Sequence, residues 1–296
     1  MSIYFSAVYQ GILWGIMGLG LYISFRILRF ADLTSEASFT LGAASAVTLI
    51  TMGVNPIVAT FASIITGMLA GLVTGILTTY FDIPALLASI ISLTGFYSIN
   101  LSVMGSPNLS LRGFDTIYSY LSEAIESVQY QRAIVGLIVV LLVILFMTYL
   151  FKTDLGQAII ATGDNEIMAA SFGIKTNTMK RLALMFANGF IALSGALVAQ
   201  DNGFSDVQMG TGTVVVAMSS IVIGEVIFRK QMKLSGRFIS IVVGSVIYRL
   251  IIVFVLQLGF NPNDFRLISA LVLAIFLALP AISKKMGLNK AKLGKL

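Results

Sequence analysis

The sequence predicts an all-α, polytopic membrane protein with about nine transmembrane helices. Hydrophobic residues make up 57% of the 296-residue chain and charged residues only 11%, whereas a soluble domain carries about a quarter charged residues. No charge occurs in residues 37–81 or 83–111, and roughly 20 apolar residues cross the hydrocarbon core. Cys and His are absent from the sequence, which excludes disulfides, Cys-ligated metals and His proton relays. The composition therefore excludes a soluble enzyme, a disordered chain and a secreted disulfide scaffold.

Hydropathy predicts nine spans, and we assign them to a single transmembrane domain over residues 1–296. The second span is the weakest, because it is short and follows a polar run from Asp32 to Glu36, and we expect either a full crossing or a broken helix there. The first span lacks both a basic leader and a cleavage site, which favours a retained helix over a signal peptide. The spans cover residues 8–28, 36–53, 56–79, 83–104, 132–151, 181–202, 211–228, 238–258 and 266–283.

Basic residues predict the orientation, because cytoplasmic loops of membrane proteins are enriched in Lys and Arg. If the basic tail, residues 284–296, is cytoplasmic and the nine spans alternate, only Arg112, Arg132 and Arg266 of the 19 Lys and Arg residues face outside, and Arg249 lies within a span. The N-terminus is then outside and the C-terminus cytoplasmic. The net charge of +6 is then explained by basic residues on the cytoplasmic side of the membrane and does not indicate nucleic-acid binding.

The outer loop, residues 105–131, is one of two long connections. Ile117, Leu121, Ile125 and Val128 recur at helical spacing and predict a helix over about 116–128. Two interpretations are open. The helix lies on the membrane surface and caps the bundle, or it forms part of a landing site for an extracytoplasmic partner.

The inner loop, residues 152–180, contains a predicted helix that is too short to cross a membrane, at about 165–172. Asp164 is a suitable N-cap residue, and Gly173 followed by an apolar residue is a typical helix ending. The helix carries Ile167, Met168 and Phe172 among small residues. These apolar side chains either pack under the bundle or insert into a groove of a cytoplasmic partner.

This loop carries the most specific resemblance in the sequence. It is similar to the cytoplasmic coupling loop of ABC-importer permeases of the branched-chain amino-acid and ribose type, and the stretch FADLTSEASFTLGAA resembles a subfamily described as tryptophan/tyrosine transport permeases. Branched-chain members usually carry Asn-Phe-Ala-His-Gly where this chain has residues 30–34, and ribose-type members begin with an additional inner span. The matching loop residues are Thr153, Gly156, Ala158, Ala161, Gly163, Asn165, Ala169, Ala170, Gly173 and Ile174.

The resemblance implies a fold like that of type II importers and a role for the inner loop. The loop would couple to an ATP-binding cassette ATPase subunit, and the transporter would also contain an extracytoplasmic solute-binding protein and a second permease copy in the bacterial cytoplasmic membrane. The substrate would be an amino acid, with aromatic amino acids as candidates. The implied coupling residues are Gly163, Asp164, Asn165, Glu166, Ile167, Met168, Ala169, Ala170, Phe172 and Gly173.

The sequence is consistent with ATP chemistry supplied by another subunit. It contains no G-x-x-x-x-G-K-[ST] phosphate loop, and no soluble segment is large enough for an ATPase domain. We therefore expect no catalytic residue, resident cofactor or metal in this chain, with ATP and Mg²⁺ bound by the partner ATPase.

A weak internal repeat suggests where the solute path lies. A shift of 174 residues places Phe30 and Asp32 on Phe204 and Asp206, and relates two halves at about 8–151 and 181–283. Because the shift corresponds to an odd number of spans, the halves would be inverted, an arrangement that puts transporter sites near the repeat interface. We expect discontinuous helices after both aspartates.

Polar residues within predicted spans are expensive in a bilayer and are therefore candidates for function. Arg249 either pairs with an acid such as Asp206 or Asp264, lines the path, or extends towards the headgroups. The candidates for the translocation pathway are Asp32, Thr34, Glu36, Asn100, Asp206 and Arg249.

Glycines at four-residue spacing predict close helix contacts. They occur at Gly67, Gly71 and Gly75 and again at Gly11 and Gly15. The contacts are either within one subunit or between two permease copies.

Two other classes of function compete with an importer permease. A secondary transporter driven by an ion gradient would need an acidic or His site near the membrane midplane, and the acids of this chain cluster near predicted span ends. A membrane enzyme or assembly scaffold would be supported by a nucleophile–base pair or a metal cluster, and the sequence offers neither.

Overall fold

The computed structural model describes residues 2–122, 125–228, 233–258 and 265–285, and shows a helical bundle with two short strands. Most of the basic tail lies outside these residues, and so does Asp264. The elements are α1 Ser2–Tyr22, α2 Thr34–Thr51, α3 Pro56–Thr79, α4 Ala85–Met104, β1 Asn108–Ser110, α5 Val128–Leu150, α6 Asp154–Asp164, α7 Glu166–Ser171, α8 Thr176–Asn202, β2 Phe204–Asp206, α9 Thr213–Phe228, α10 Leu234–Gln257 and α11 Phe265–Lys285.

Among the described residues, six helices are long and apolar enough to cross a bilayer: α1 with its extension to Ile27, α3, α4, α5, α8 and α10. The multi-pass helical class is therefore confirmed. The helix α9 and the apolar part of α11 are shorter than this criterion requires, and nine crossings stay a prediction.

The helix α8 forms the centre of the bundle, and glycines bring its neighbours close to it. Gly67, Gly71 and Gly75 of α3 lie against the α8 backbone, where a Cβ would be in very close contact. Gly11 and Gly15 of α1 meet valines of α10 in the same way. The glycine faces thus serve packing within one subunit, not a contact between two copies.

Two short helices begin inside the bundle. The chain is non-helical over 28–33 before α2 and over 207–212 before α9. The hydroxyl of Thr34 lies 2.7 Å from that of Thr74 on α3, and Asp32 bonds to Asn188, near the middle of α8. The prediction of discontinuous helices after Asp32 and Asp206 is therefore wrong, because α2 and α9 are each continuous and the non-helical residues precede them.

The loop between α4 and α5, residues 105–127, differs from the prediction. The strands β1 and β2 pair antiparallel, with Asn108 opposite Asp206. The prediction of a helix over about 116–128 is wrong. In the part of this range that the structure describes, the chain forms one 3₁₀ turn at Ser119–Leu121, and α5 begins at Val128. Tyr118, the residue before this turn, points into the bundle and is 3% exposed.

Burial raises the pKa of Tyr118 well above its usual range, and the nearby Asp201 carboxylate raises it further. Its hydroxyl therefore remains protonated and donates to the Leu197 carbonyl at 3.0 Å. The backbone N–H of Ile117 donates to Gln200 Oε1 at 2.9 Å. These bonds tie the loop to the outer end of α8, which fits the interpretation of the loop as a cap on the bundle.

Candidate coupling site and solute path

The inner loop contains two helices where the sequence predicted one. The helix α6 begins after Thr153, whose hydroxyl accepts the Gly156 N–H, and α7 follows almost directly. The N-cap of α7 is Asn165, whose Oδ1 accepts the Met168 N–H at 3.0 Å. The prediction of Asp164 as N-cap is wrong, because Asp164 is the last residue of α6.

The C-terminal end of α7 forms as predicted. Gly173 has a φ of +84°, a left-handed conformation that glycine adopts without a steric cost. Its N–H donates to the Ala170 carbonyl at 2.9 Å, and the Ile174 N–H donates to the Ala169 carbonyl at 3.2 Å. This is the Schellman pattern, which satisfies carbonyls that the last helical turn leaves free.

The apolar side chains of α7 point away from the bundle. Ile167 is 84% exposed, Phe172 79% and Met168 48%, whereas Ala169 is 1% exposed and faces the protein. A salt bridge of 2.5 Å between Glu166 and Lys180 holds α7 to the start of α8. The interpretation that the three apolar side chains pack under the bundle is therefore wrong.

The loop rests on the link between α1 and α2. Gly163 lies so close to the Ile27 carbonyl and to Leu28 that any Cβ would overlap them. Arg29 donates to Asp164 Oδ1 at 2.9 Å, and its φ of +55° is uncommon for a residue with a side chain. The inner loop, residues 152–180, is thus in direct contact with the segment that leads into α2.

Two of the predicted pathway residues are enclosed within the bundle. Asp32 is fully buried; its Oδ1 accepts the Thr34 N–H at 3.0 Å, and its Oδ2 accepts from Asn188 Nδ2 at 2.8 Å. Ser38 donates to Asn188 Oδ1 at 2.7 Å. This network joins α2 to α8, and neither Asp32 nor Thr34 lines the neighbouring cavity.

Two other candidates do line a cavity. A space of about 370 Å³ lies between α2, α4 and the 207–212 segment, and its wall includes Glu36, Tyr97 and Asn100. Glu36 Oε1 accepts the Gly212 N–H at 2.9 Å, just before α9 begins. The volume is near the lower end of the range for small-molecule sites.

The remaining two candidates lie elsewhere. Asp206 is in β2, where it accepts from Asn108 of β1 at 3.4 Å. The guanidinium of Arg249 lies 4.5 Å from the ring centre of Trp14, and its nearby carboxylate is Asp201. The suggested pairing of Arg249 with Asp206 is wrong, and Asp264 lies outside the described residues.

Sequence reasoning missed a buried ion pair between the start of α5 and the end of α8. Arg132 Nη1 lies 3.0 Å from Asp201 Oδ1, and the Asp201 side chain is only 4% exposed. The two residues were placed at the ends of predicted spans, where charges are ordinary. The sequence signal that could have identified them is that Arg132 lies near the start of α5 and Asp201 near the end of α8.

The fold, the inner loop packed against the link between α1 and α2, and the comparisons with known proteins together define the class of this molecule. It is a multi-pass membrane permease subunit of an ABC transport system, and its relatives are transport permeases, not enzymes. The chain belongs to the family described as "Branched-chain amino acid transport system / permease component", which it matches over residues 3–277.

Full-length relatives support this assignment. The chain is 39% identical over 293 residues to "Tyrosine transport system permease protein" of Clostridioides difficile (strain R20291), covering 99% of this chain and 96% of that protein. It is 31% identical to "Uncharacterized protein RP368" of Rickettsia prowazekii (strain Madrid E), covering 94% and 98%. The autoinducer 2 import permease LsrC of Salmonella typhimurium is 29% identical over 167 residues, which cover 56% of this chain and 47% of LsrC.

A solved structure confirms the fold. A chain from "PsaBC from Streptococcus pneumoniae in complex with Fab" superposes with a TM-score of 0.51 at 15% identity, covering 93% of this chain and 89% of that chain. At this identity the likeness concerns the fold alone.

Proposed function

We propose that the chain is the permease of an importer for an amino acid, with aromatic amino acids as the first candidates. The observation that carries the proposal is α7, a capped helix with exposed apolar side chains, held between two membrane helices. The substrate class is supported by the similarity to a tyrosine transport system permease over nearly the whole chain. Capture of the solute outside the cell would be performed by an extracytoplasmic binding protein.

The docking site for the ATPase subunit is the segment from Gly163 to Gly173. A groove on the ATPase would bury Ile167 and Phe172, which the permease leaves exposed, and burial of such side chains is the main favourable term in association. ATP and Mg²⁺ would be bound by that partner. The N-terminus would face outside and the C-terminus the cytoplasm of a bacterial cell.

The solute path would lie between two permease copies, on the face of α4. Thr94, Ser98 and Ser102 repeat every four residues on this helix and are exposed. Polar residues of a membrane helix usually face a bundle interior or a water-filled cavity and not lipid. This face continues into the cavity beside Glu36, so a second copy placed here would enclose a polar passage.

We further propose nine crossings and two inverted halves, residues 8–151 and 181–283, in a single domain over 1–296. The local structure around the repeat aspartates supports the relation. Asp32 Oδ1 accepts the Thr34 N–H at 3.0 Å, and Asp206 Oδ1 accepts the Gln208 N–H at 2.7 Å. Each turn leads into a helix that begins inside the bundle.

Labelling with a membrane-impermeant maleimide tests the orientation, because the chain has no Cys of its own. Met52→Cys, at the end of α2 and 73% exposed, should react in whole cells. Ile167→Cys should react only after the membrane is opened. Reaction of Ile167→Cys in intact cells would place α7 outside and end the proposal. Uptake into ATPase-free vesicles on an ion gradient would favour a secondary transporter instead.

A further inference from the structure

An aromatic side chain lies in the wall of the cavity between α2, α4 and the 207–212 segment. Tyr97 is the only aromatic residue among the described residues that line this space of about 370 Å³, and it is 47% exposed. Its hydroxyl makes no hydrogen bond to another described residue. The ring is therefore accessible to a molecule in the cavity without the displacement of an existing partner.

Tyr97 lies too deep in its helix for the headgroup position that Tyr residues usually take in membrane proteins. The helix α4 covers Ala85–Met104, so at a rise of ~1.5 Å per residue Tyr97 is about 18 Å from its start and about 10 Å from its end. A hydroxyl at this depth would be unsatisfied in lipid, which is unfavourable. Its position indicates that this face of α4 meets a polar surface or a solute.

The neighbouring hydroxyls on this face of α4 differ from that of Tyr97. Thr94 donates to the Ile90 carbonyl at 2.9 Å, and Ser102 donates to the Ser98 carbonyl at 2.9 Å. Short hydroxyl side chains can bond to the preceding helical turn in this way, whereas a phenol at the end of a rigid ring cannot reach its own turn. Thr94 and Ser102 therefore tolerate apolar surroundings, and Tyr97 needs a partner beyond the described residues.

The rest of the accessible wall supplies apolar surface and hydroxyl groups. Leu93 is partly buried, and Thr94, Ser98 and Thr211 are exposed. The carboxylate of Glu36 lines the same cavity, but it is engaged by the backbone amide that precedes α9, at 2.9 Å. What remains accessible is a ring, an apolar side chain and three hydroxyls, a combination that suits a planar side chain with a polar edge.

We propose that Tyr97 selects solutes with an aromatic side chain by stacking on their ring inside this cavity. The inference rests on the proposed function and adds to it the residue that recognises the side chain of the solute. Aromatic pairs in offset or edge-to-face geometry gain more than their buried area alone provides, so a flat ring should bind better than a saturated ring of the same size. The hydroxyls of Ser98 and Thr211 can pair with the polar edge.

A Cys reporter makes this contact measurable at the permease itself. Thr211→Cys places a thiol in the part of the cavity wall outside α4, in a chain that has no other Cys. The probes are L-phenylalanine and L-cyclohexylalanine, which carry the same backbone groups and a ring of the same size, aromatic in one and saturated in the other. The permease–ATPase complex in nanodiscs is labelled with a maleimide at increasing concentrations of each probe, and Met52→Cys is the reporter control.

Phenylalanine should protect Thr211→Cys at about a fivefold lower concentration than cyclohexylalanine, the ratio expected for one aromatic pair. A merely apolar cavity would give the opposite order, because the saturated ring has the larger apolar surface. In the reporter background, Tyr97→Leu should abolish the preference for phenylalanine, and Tyr97→Phe should keep it. Tyr149→Leu, which removes a 72% exposed Tyr from α5, should keep it as well.

Three results would overturn the role of Tyr97: no preference for phenylalanine when Tyr97 is intact, a preference that Tyr97→Leu leaves unchanged, or no protection by either probe. Slowed labelling of Met52→Cys would show a general effect of the probes and would count against it too. A loss of stability alone does not change the ratio, because both probes meet the same protein, and Tyr97→Met gives the same test if Tyr97→Leu does not fold. A complex that binds its ATPase through α7 but shows no ring preference loses only this inference, and the proposed function stands.

Discussion

Replacement of Phe172 by Ala should weaken binding of the ATPase subunit without changing the permease itself. The side chain is 79% exposed, so most of its surface is available to a partner. Burial of a Phe side chain contributes about 1.5–3 kcal/mol. We expect a loss of about 2 kcal/mol, which corresponds to roughly a 30-fold increase in Kd.

The structure supplies a control and a check on folding. Phe172 is the C-cap residue of α7 with φ −84° and ψ 7°, a conformation that Ala adopts without strain, so the Tm of the isolated permease should be unchanged. Met52→Ala removes a similarly exposed apolar side chain, 73% exposed, from the end of α2 that we assign to the outside. Its Kd should equal that of the wild type.

The assay is binding of the purified ATPase subunit to nanodisc-embedded permease, measured by biolayer interferometry. A Kd for Phe172→Ala within twofold of the wild type would refute the docking assignment. The same would follow if Met52→Ala weakened binding as much. Loss of binding accompanied by a lower Tm of the permease would also count against the argument, because it would show that Phe172 acts on folding.

Three further substitutions test the packing and the charges. Gly163→Ala should lower the Tm of the permease, since the new Cβ would overlap the Ile27 carbonyl; an unchanged Tm would contradict the close contact between the inner loop and the segment after α1. Gly195→Ala should lower the free energy of unfolding by about 1–3 kcal/mol, because its Cβ would overlap the α2 backbone. Gly95→Ala places its Cβ in open space and should leave stability unchanged. Thermal unfolding in detergent compares the two variants. Arg132→Leu should cost about 3 kcal/mol by removing the cation that lies 3.0 Å from the buried Asp201 carboxylate, and a Tm equal to the wild type would refute the pairing.

The helix α7 was predictable because its determinants are local. A Gly followed by an apolar residue after a short helical run specifies the ending of α7 within a few residues of sequence. The N-cap was misassigned because Asp164 and Asn165 are both good caps, and the choice depends on α6, whose last residue is Asp164. The side chain of Asp164 is engaged by Arg29, a contact that spans much of the chain and leaves no periodic signal.

The structure of the outer loop and the partners of the buried charges could not be predicted from local sequence patterns. Four apolar residues at helical spacing also fit a chain that inserts one side chain and bonds its backbone to another helix, as Tyr118 and the Ile117 N–H do. Likewise, Arg249 meets Trp14 of α1 only because α1 packs on α10. Hydropathy locates such residues in a span but carries no information about which helices are neighbours.

The contacts between the coupling loop and the cavity form a short continuous series. Gly163 and Asp164 touch the segment that contains Arg29, that segment ends at Asp32, and α2 starts two residues later with Glu36 in its first turn. Glu36 in turn accepts the amide of Gly212 at the entrance to α9. We infer that a push on α7 reaches the cavity wall through the start of α2, because non-helical backbone can change its dihedrals at a lower cost than a packed helix can bend. Asp32, which is fully buried, bonds to Thr34 at the start of α2 and to Asn188 near the middle of α8, so this series is also anchored to the centre of the bundle.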